Sequence, residues 1–239
     1  MIKIQFESID STNTYLKQHY NELPDNTVII AQHQTSGKGR LGRIWEDDST
    51  QALFSILLKN NIDITTLEQY PLLTAVAVHQ ALIKYIPNLK IKWPNDIVCH
   101  DFKICGILTE SVFNQSLQAL IIGIGINVNT KLFPSHLEAI ATSLFLETQK
   151  TFEIETIIDE VLDSFKKVLT RFLEDRLSPI EYCNQYASLT NRIVTFTYNG
   201  LIQEGQVIEI NHEGGLSVNT SSGVIHISSG EVLRTKVIF

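Results

Sequence analysis

Three glycines and three cations fall within seven residues of this chain, in Gly37-Lys38-Gly39-Arg40-Leu41-Gly42-Arg43. The stretch lies inside a polar segment at 34–50, and residues 28–45 contain no acidic side chain although the chain as a whole is acidic. Glycine lets backbone N–H groups approach a ligand closely, while Lys and Arg supply charge that opposes phosphate or carboxylate. The chemistry to expect is anion binding. Two familiar phosphate motifs fail here. Gly37, Gly39 and Gly42 satisfy G-x-G-x-x-G, but a dinucleotide fingerprint opens a helix at its glycines and carries an acidic residue about twenty positions on. In this chain the glycines run instead into the loop-like Trp45-Glu46-Asp47-Asp48-Ser49-Thr50, then a strand ending in Lys59. A P-loop needs glycine at position 32 and a hydroxyl at 39, where the chain has Gln32 and Gly39. Alone, the segment also fits a surface loop with incidental charge.

Three further clusters carry chemistry. Lys92-Trp93-Pro94-Asn95-Asp96 places a cation, an amide and a carboxylate on one turn. Lys92 and Asn95 suit phosphate contacts and Asp96 a share in a Mg²⁺ site; an ordinary Asn-Asp turn after proline reads equally well. Lys103 and Gly106 come next, across a short hairpin, where a lysine is commonly just solvated. Gly123-Ile124-Gly125-Ile126-Asn127 sets two glycines into an apolar run. Glycine in a strand marks either a bulge or a place where something packs directly on the backbone.

The elements that must position these residues alternate. Residues 27–33 and 53–59 read as strands, 71–85 as a helix with Pro71 in its first turn, and 97–99 with 104–109 as a hairpin. The apolar run at 117–128 reads as a strand buried on both faces. Residues 152–177 form a long amphipathic helix, and Pro179 starts a shorter one. From about Leu189 the texture changes to short strands at 192–198, 203–210, 216–220 and 224–228, punctuated by Asn199-Gly200, Glu213-Gly214-Gly215 and Ser221-Ser222-Gly223. That spacing suggests a small barrel. The division expected is a mixed α/β domain at 1–188 and a small all-β domain at 189–239.

Composition narrows the classes. The chain has 239 residues, is 44% hydrophobic and 19% charged, and carries a net charge of −7. Such a surface repels nucleic acid unless a basic stripe is local. No segment approaches the apolar length of a membrane span, and residues 1–7 lack a signal-peptide core. Three cysteines, Cys99, Cys105 and Cys183, give an odd count without CxxC, as in a reduced cytoplasmic protein. The seven histidines show neither HExxH nor a cysteine at zinc-finger spacing.

Taken in order, the clusters resemble the biotin–protein ligase family. The resemblance is carried by Ser11-Thr12-Asn13, the glycine loop from Gly37 to Trp45, the intact Lys92-Trp93-Pro94-Asn95-Asp96, Lys103-Ile104-Cys105-Gly106, and Gly123 through Asn127. Ala141-Thr142-Ser143-Leu144 and Gly230-Glu231-Val232-Leu233-Arg234 resemble further family segments. Lys38 stands where the family most often has arginine, which keeps the charge and loses the bidentate fork.

The resemblance implies an α+β fold: a mixed sheet flanked by helices, akin to class II aminoacyl-tRNA synthetases, with a small SH3-like C-terminal barrel. It implies biotin contacts at Ser11, Thr12, Gln34, Gly37, Lys38, Arg40, Lys103, Gly106 and Gly123. Nucleotide contacts fall on Arg40, Arg43, Trp45, Lys92, Asn95 and Asn127, with Asp96 a candidate for Mg²⁺. Biotin, ATP and Mg²⁺ are then the small molecules, and Lys103, Arg40 and Lys92 the groups that stabilise the reacting charges. The implied partner is a biotin carboxyl carrier protein offering a lysine; the chain itself would be a monomer or homodimer. Only ten residues precede Ser11, too few for the helix-turn-helix that some family members use as repressors, so no DNA binding is expected. Lipoate–protein ligases share the architecture, but the cationic loop and Lys-Trp-Pro-Asn-Asp favour biotin. A non-catalytic biotin sensor would have little use for the phosphate-facing cations.

Overall fold

Runs of β-branched residues and helix-spaced apolar residues assemble into one large mixed sheet with helices on both faces, followed by a smaller antiparallel sheet. The computed structural model describes residues 1–228 and 232–236. The large sheet holds β1 (Ile2–Ile9), β2 (Thr27–Gln34), β3 (Ala52–Leu58), β4 (Leu89–Lys92), β5 (Asp96–Cys99), β6 (Phe102–Asn114) and β7 (Ser116–Ile126), in the order β1-β2-β3-β7-β6-β5-β4. Only β1 and β2 run parallel, joined across the sheet by α1 (Thr12–His19); every other pair is antiparallel.

The period of two along the central strands decides what covers each face. On β7, Leu120, Ile122, Ile124 and Ile126 join the main core with α2 (Tyr70–Leu82), α4 (Ile154–Glu174) and α5 (Leu177–Tyr186). The alternate residues Ala119 and Ile121 pack under Leu16 of α1, with Ile29 and Leu57. Helix α2 is apolar almost all round because the sheet lies on one side and α4 and α5 on the other. Past Ile121 the α1-side positions of β7 are Gly123 and Gly125, and there the sheet opens into a cavity. A one-turn helix, α3 (Leu144–Thr148), comes after β7 and is capped by Ser143.

The smaller sheet comprises β8 (Ile193–Tyr198), β9 (Leu201–Ile210), β10 (Leu216–Thr220), β11 (Gly223–Ile227) and β12 (Val232–Lys236), ordered β11-β10-β9-β8-β12. Asn199 and Gly200, both at positive φ, make the two-residue turn their sequence predicts. The expected barrel is not closed. β11 and β12 are the two edges and no ladder joins them among the described residues; β12 is spent on pairing with β8. Phe196, Val207, Leu216 and Val218 belong to the same continuous core as α2 and α4, so the two sheets share their apolar interior. Of the C-terminal segment that resembles the family, Gly230 and Glu231 lie outside the described residues. Among the described residues, no helix is long and apolar enough to cross a membrane.

Two elements carry no clear signature in the sequence. β1 alternates Lys3, Gln5 and Glu7 with its apolar residues and is mostly exposed at the sheet edge, so it lacks a buried strand's pattern. α1 has only eight residues, two turns of helix. The 34–50 loop is also more ordered than expected, closing on itself through a Lys38–Ile44 bridge.

Candidate active site

A cavity of about 500 Å³ lies on the α1 side of the large sheet, where side chains give way to glycine. Its floor comes from β3, β6 and β7, its near end from the N-terminus of α1, and its lid from the loop around Arg40.

The near end is neutral, buried and fully cross-linked. Ser55, wholly buried on β3, donates to Asn13 Oδ1 at 2.5 Å and lies 2.6 Å from Thr12 Oγ1. The Thr12 amide donates to Gln34 Oε1 at 2.8 Å, and its hydroxyl reaches the same oxygen at 3.1 Å. Asn13 Nδ2 donates to Glu110 at 2.8 Å and Lys17 Nζ to its other oxygen at 2.9 Å. Burial raises the Glu110 carboxyl pKa, but the hydrogen bonds from Lys17 and Asn13 and the charges of Lys17 and Lys38 outweigh it; the group stays below its ordinary value. Gly123 lies opposite Ser55 and Leu108, and a Cβ there would come within 2.9 Å of the Asn13 amide carbon. The glycine is what admits Asn13 to the floor.

Trp45 takes the next stretch of floor. Gly106 and Gly125 face each other across β6 and β7, and a Cβ on either would lie 2.7 Å from the indole. Indole Nε1 donates to Gln51 at 2.8 Å, fixing the ring. Lys103 Nζ stands 5.5 Å from the ring centroid and 2.7 Å from Asp96 Oδ1, so the ammonium is held between a carboxylate and a π face at the cavity wall.

The cationic loop folds as a narrow hairpin. Gly39 N donates to Arg43 O at 2.8 Å and Trp45 N to Gly37 O at 3.0 Å, while Leu41 and Gly42 turn the tip at positive φ. Asp47 anchors its exit, accepting from Gln34 N at 2.6 Å and His33 Nδ1 at 2.9 Å. Two cations reach across the cavity. Lys38 Nζ donates to Thr14 Oγ1 of α1 at 3.0 Å, and Arg40 Nη1 to Asn95 Oδ1 at 3.0 Å. Asn95, itself buried, donates to Ile107 O at 2.7 Å, so the β4–β5 turn is the loop's far abutment. The smaller sheet braces that region: Trp93 Nε1 donates to Gly214 O at 3.0 Å, and Arg192 Nη1 donates to both carboxylate oxygens of Asp101, at 2.7 and 2.8 Å.

Residues far apart in the chain therefore meet at one cavity: Ser11, Thr12, Gln34, Lys38, Arg40, Arg43, Trp45, Lys92, Asn95, Asp96, Lys103, Gly106, Gly123 and Asn127 all line it. Three of the expected residues are placed differently from the others. Gly37 is buried and does not line the cavity; its missing Cβ makes room for the Trp45 carbonyl, 2.7 Å from where that atom would stand. Asp96 is paired with Lys103 and lies outside the Cys99–His100–Glu147 group of metal-type ligands among the described residues. Asn127 spends its amide hydrogens on Thr142 O at 3.0 Å and Lys103 O at 3.3 Å, which makes it first a brace for the β7 end. Sequence reasoning missed Asn13, Ser55 and Glu110 as parts of the site. Ser-Thr-Asn signalled the first; Ser55 and Glu110 sit in strand-like text and are identified only by the register that puts them opposite Gly123 and Ile121.

Residues 5–127 match the model of the biotin/lipoate A/B protein ligase family. Among curated proteins, the chain is 33% identical over 219 residues to the bifunctional ligase/repressor BirA of Bacillus subtilis, covering 89% of this chain and 67% of that one. It is 31% identical over 123 residues to a biotin–[acetyl-CoA-carboxylase] ligase of Paracoccus denitrificans, covering 50% of this chain and 51% of the other. Among solved structures, the biotin protein ligase of Aquifex aeolicus in complex with biotin and ATP superposes with a TM-score of 0.87 at 29% identity, over 96% of this chain and 97% of that one. With the family model covering more than half its length and a relative at this identity, the chain belongs to the biotin/lipoate A/B protein ligase family.

Proposed function

We infer that this chain is an ATP-dependent biotin–protein ligase. It condenses biotin with ATP to biotinyl-5′-AMP and then transfers the biotinyl group to a lysine of a carrier protein. One observation carries the reading: a single cavity joins a neutral, buried hydrogen-bonding end to a cationic one. A cyclic urea needs uncharged donors and acceptors, which Ser11, Thr12 and Gln34 provide beside Gly123. Its carboxylate tail and a triphosphate need positive charge, which Lys38, Arg40, Arg43, Lys92 and Lys103 provide.

Two anions must meet for the reaction, and their repulsion is costly where water is excluded. Lys103 at the cavity wall neutralises the carboxylate and holds its oxygen toward the α-phosphorus. That oxygen attacks, pyrophosphate leaves, and Arg40 and Lys92 bear the charge at the phosphoryl centre. Trp45, Arg43, Asn95 and Asn127 bound the nucleotide side. Asp96, one of three carboxylates lining the cavity with Glu46 and Asp101, would help hold Mg²⁺, which would offset the charge of the ATP phosphates. The loop of residues 37–45 then shields the mixed anhydride from water. In the second half-reaction the ε-amine attacks the acyl carbon and AMP departs.

The acceptor we assign is a carboxylase's biotin carboxyl carrier domain, with residues 1–188 carrying the chemistry and 189–239 bracing the Trp93 turn. The reading includes no repressor role, since the net charge of −7 opposes DNA; a gel shift on a biotin-operon promoter would expose one. The main test is biotin-dependent ATP–pyrophosphate exchange, with lipoate as the competing substrate. Wild type should exchange with biotin and not with lipoate. Lys103→Ala should lose about 10²–10³ of the rate, the scale for removing one donor to developing charge. Undiminished exchange in that variant overturns the role of Lys103.

A further inference from the structure

We propose that Cys99, His100 and Glu147 form a zinc site outside the substrate cavity. Cys99 ends β5, His100 is the first residue of the β5–β6 turn, and Glu147 lies on α3. Forty-seven residues separate His100 from Glu147, which is why no sequence spacing announces the cluster. Sγ of Cys99 lies 3.4 Å from His100 Nδ1 and 3.3 Å from Glu147 Oε2, and those two atoms are 3.6 Å apart. A tetrahedral Zn²⁺ bound at ordinary Zn–S, Zn–N and Zn–O lengths holds its donors about 3.4–3.6 Å from one another. The three edges, 3.3, 3.4 and 3.6 Å, come within about 0.1 Å of that range. The donor set of one thiolate, one imidazole and one carboxylate also suits zinc better than Mg²⁺ or Ca²⁺, which take oxygen.

The carboxylate is oriented from behind. Thr142 Oγ1 donates to Glu147 Oε1 at 2.7 Å, leaving Oε2 for the metal, the arrangement by which outer hydrogen bonds fix ligating carboxylates. The His100 side chain is 63% exposed while Cys99 is buried, so an ion would enter from the His100 side. Zn²⁺ binding would form the S–Zn bond and release the Cys99 thiol proton to solvent.

The site would staple two segments that flank Lys103. Lys103 N donates to Ile140 O at 2.8 Å and Thr142 N to Lys103 O at 2.9 Å, so the hairpin and the 140–147 segment already touch there. Zinc would lock their far side. The proposal does not rest on the ligase reading.

The test is titration of the metal-free full chain with Zn²⁺ against a chromophoric chelator, with Co²⁺ as a spectroscopic substitute. One equivalent should bind, and Co²⁺ should give a thiolate-to-metal charge-transfer band that Zn²⁺ abolishes. His100→Ala, exposed and harmless to the fold, and Glu147→Gln should each weaken binding by about tenfold or more, as should Thr142→Val. Absence of stoichiometric binding, binding indifferent to these substitutions, or a Co²⁺ complex without the thiolate band would each overturn the site and leave a hydrogen-bonded triangle.

Discussion

The two walls of the cavity are built in opposite ways. Thr12, Asn13 and Ser55 are at most 4% exposed and joined to one another, to Gln34 and to Glu110 by hydrogen bonds. Across from them, Leu41 and Ile44 of the cationic loop are 75% exposed, and the hairpin reaches the rest of the molecule through bonds such as Lys38–Thr14 and Arg40–Asn95. A wall with every donor placed before a ligand arrives costs nothing to organise at binding and rejects ligands that leave it unpaired. A wall of few buried contacts opens at low free energy, which suits a loop that must admit two substrates and then hold back a reactive intermediate. On the proposed function, recognition and retention fall to different walls, and variants should separate them.

Of the two walls, the rigid one should give the larger effect. In Gly123→Ala the new methyl meets Asn13, which cannot step aside because Ser55, Glu110 and Leu108 O hold it. Displacing the floor by a fraction of an ångström misplaces whatever Thr12 and Gln34 hold. Biotin-dependent exchange should fall about a hundredfold, with an overpacking cost of about 1–3 kcal/mol in denaturant unfolding. Exchange near wild type would mean that the floor gives way easily and that the contrast between the walls is overstated.

Arg40→Gly strikes the other wall and should divide the half-reactions. It removes a cation and the loop's bond to Asn95, while the hydrogen bonds among Thr12, Asn13, Gln34 and Ser55 are kept. A lost charge-assisted hydrogen bond should free the adenylate roughly tenfold to a hundredfold faster. Lysines on bystander proteins would then be labelled, as a biotin blot of a mixed-protein reaction would show; labelling confined to the carrier would count against a retaining loop.

The same contrast explains what the sequence revealed. The cationic wall was legible because its chemistry is written contiguously, as Gly37 through Trp45 and Lys92 through Asp96. So was most of the large sheet, whose strands are buried and hence uniformly apolar. The neutral wall is assembled by register instead. Ser55 sits in Ala52–Leu58, and Glu110 inside a thirteen-residue strand of which only the apolar first half reads as β. Nothing local marks either; they matter because β3 and β6 flank β7 at its glycines. The site's glycines likewise stand out as places of close backbone approach, but what approaches Gly106 and Gly125 is Trp45, from far upstream in the chain. The closed barrel failed for a related reason: strand count and turn chemistry were readable, while the pairing of the edges is a long-range property.

The smallest predicted effect sharpens the comparison, because it probes what holds the rigid wall in place. Glu110 accepts from Asn13 and Lys17 and keeps its proton less tightly in the folded chain than in the unfolded one. A carboxyl whose pKa is lowered by folding adds stability above its unfolded pKa, and loses it as pH falls through the folded value. Glu110→Gln keeps an acceptor for Asn13 and removes the charge facing Lys17. At neutral pH it should cost about 1–2 kcal/mol. As pH drops below the ordinary carboxyl value of 4.5, wild type alone loses this contribution, so the gap between the two proteins should narrow. Urea unfolding of both at neutral and acidic pH measures it. A gap that stays constant would show that Glu110 serves Asn13 by shape alone, and that the charge of Lys17 does nothing to hold the neutral end of the cavity in place.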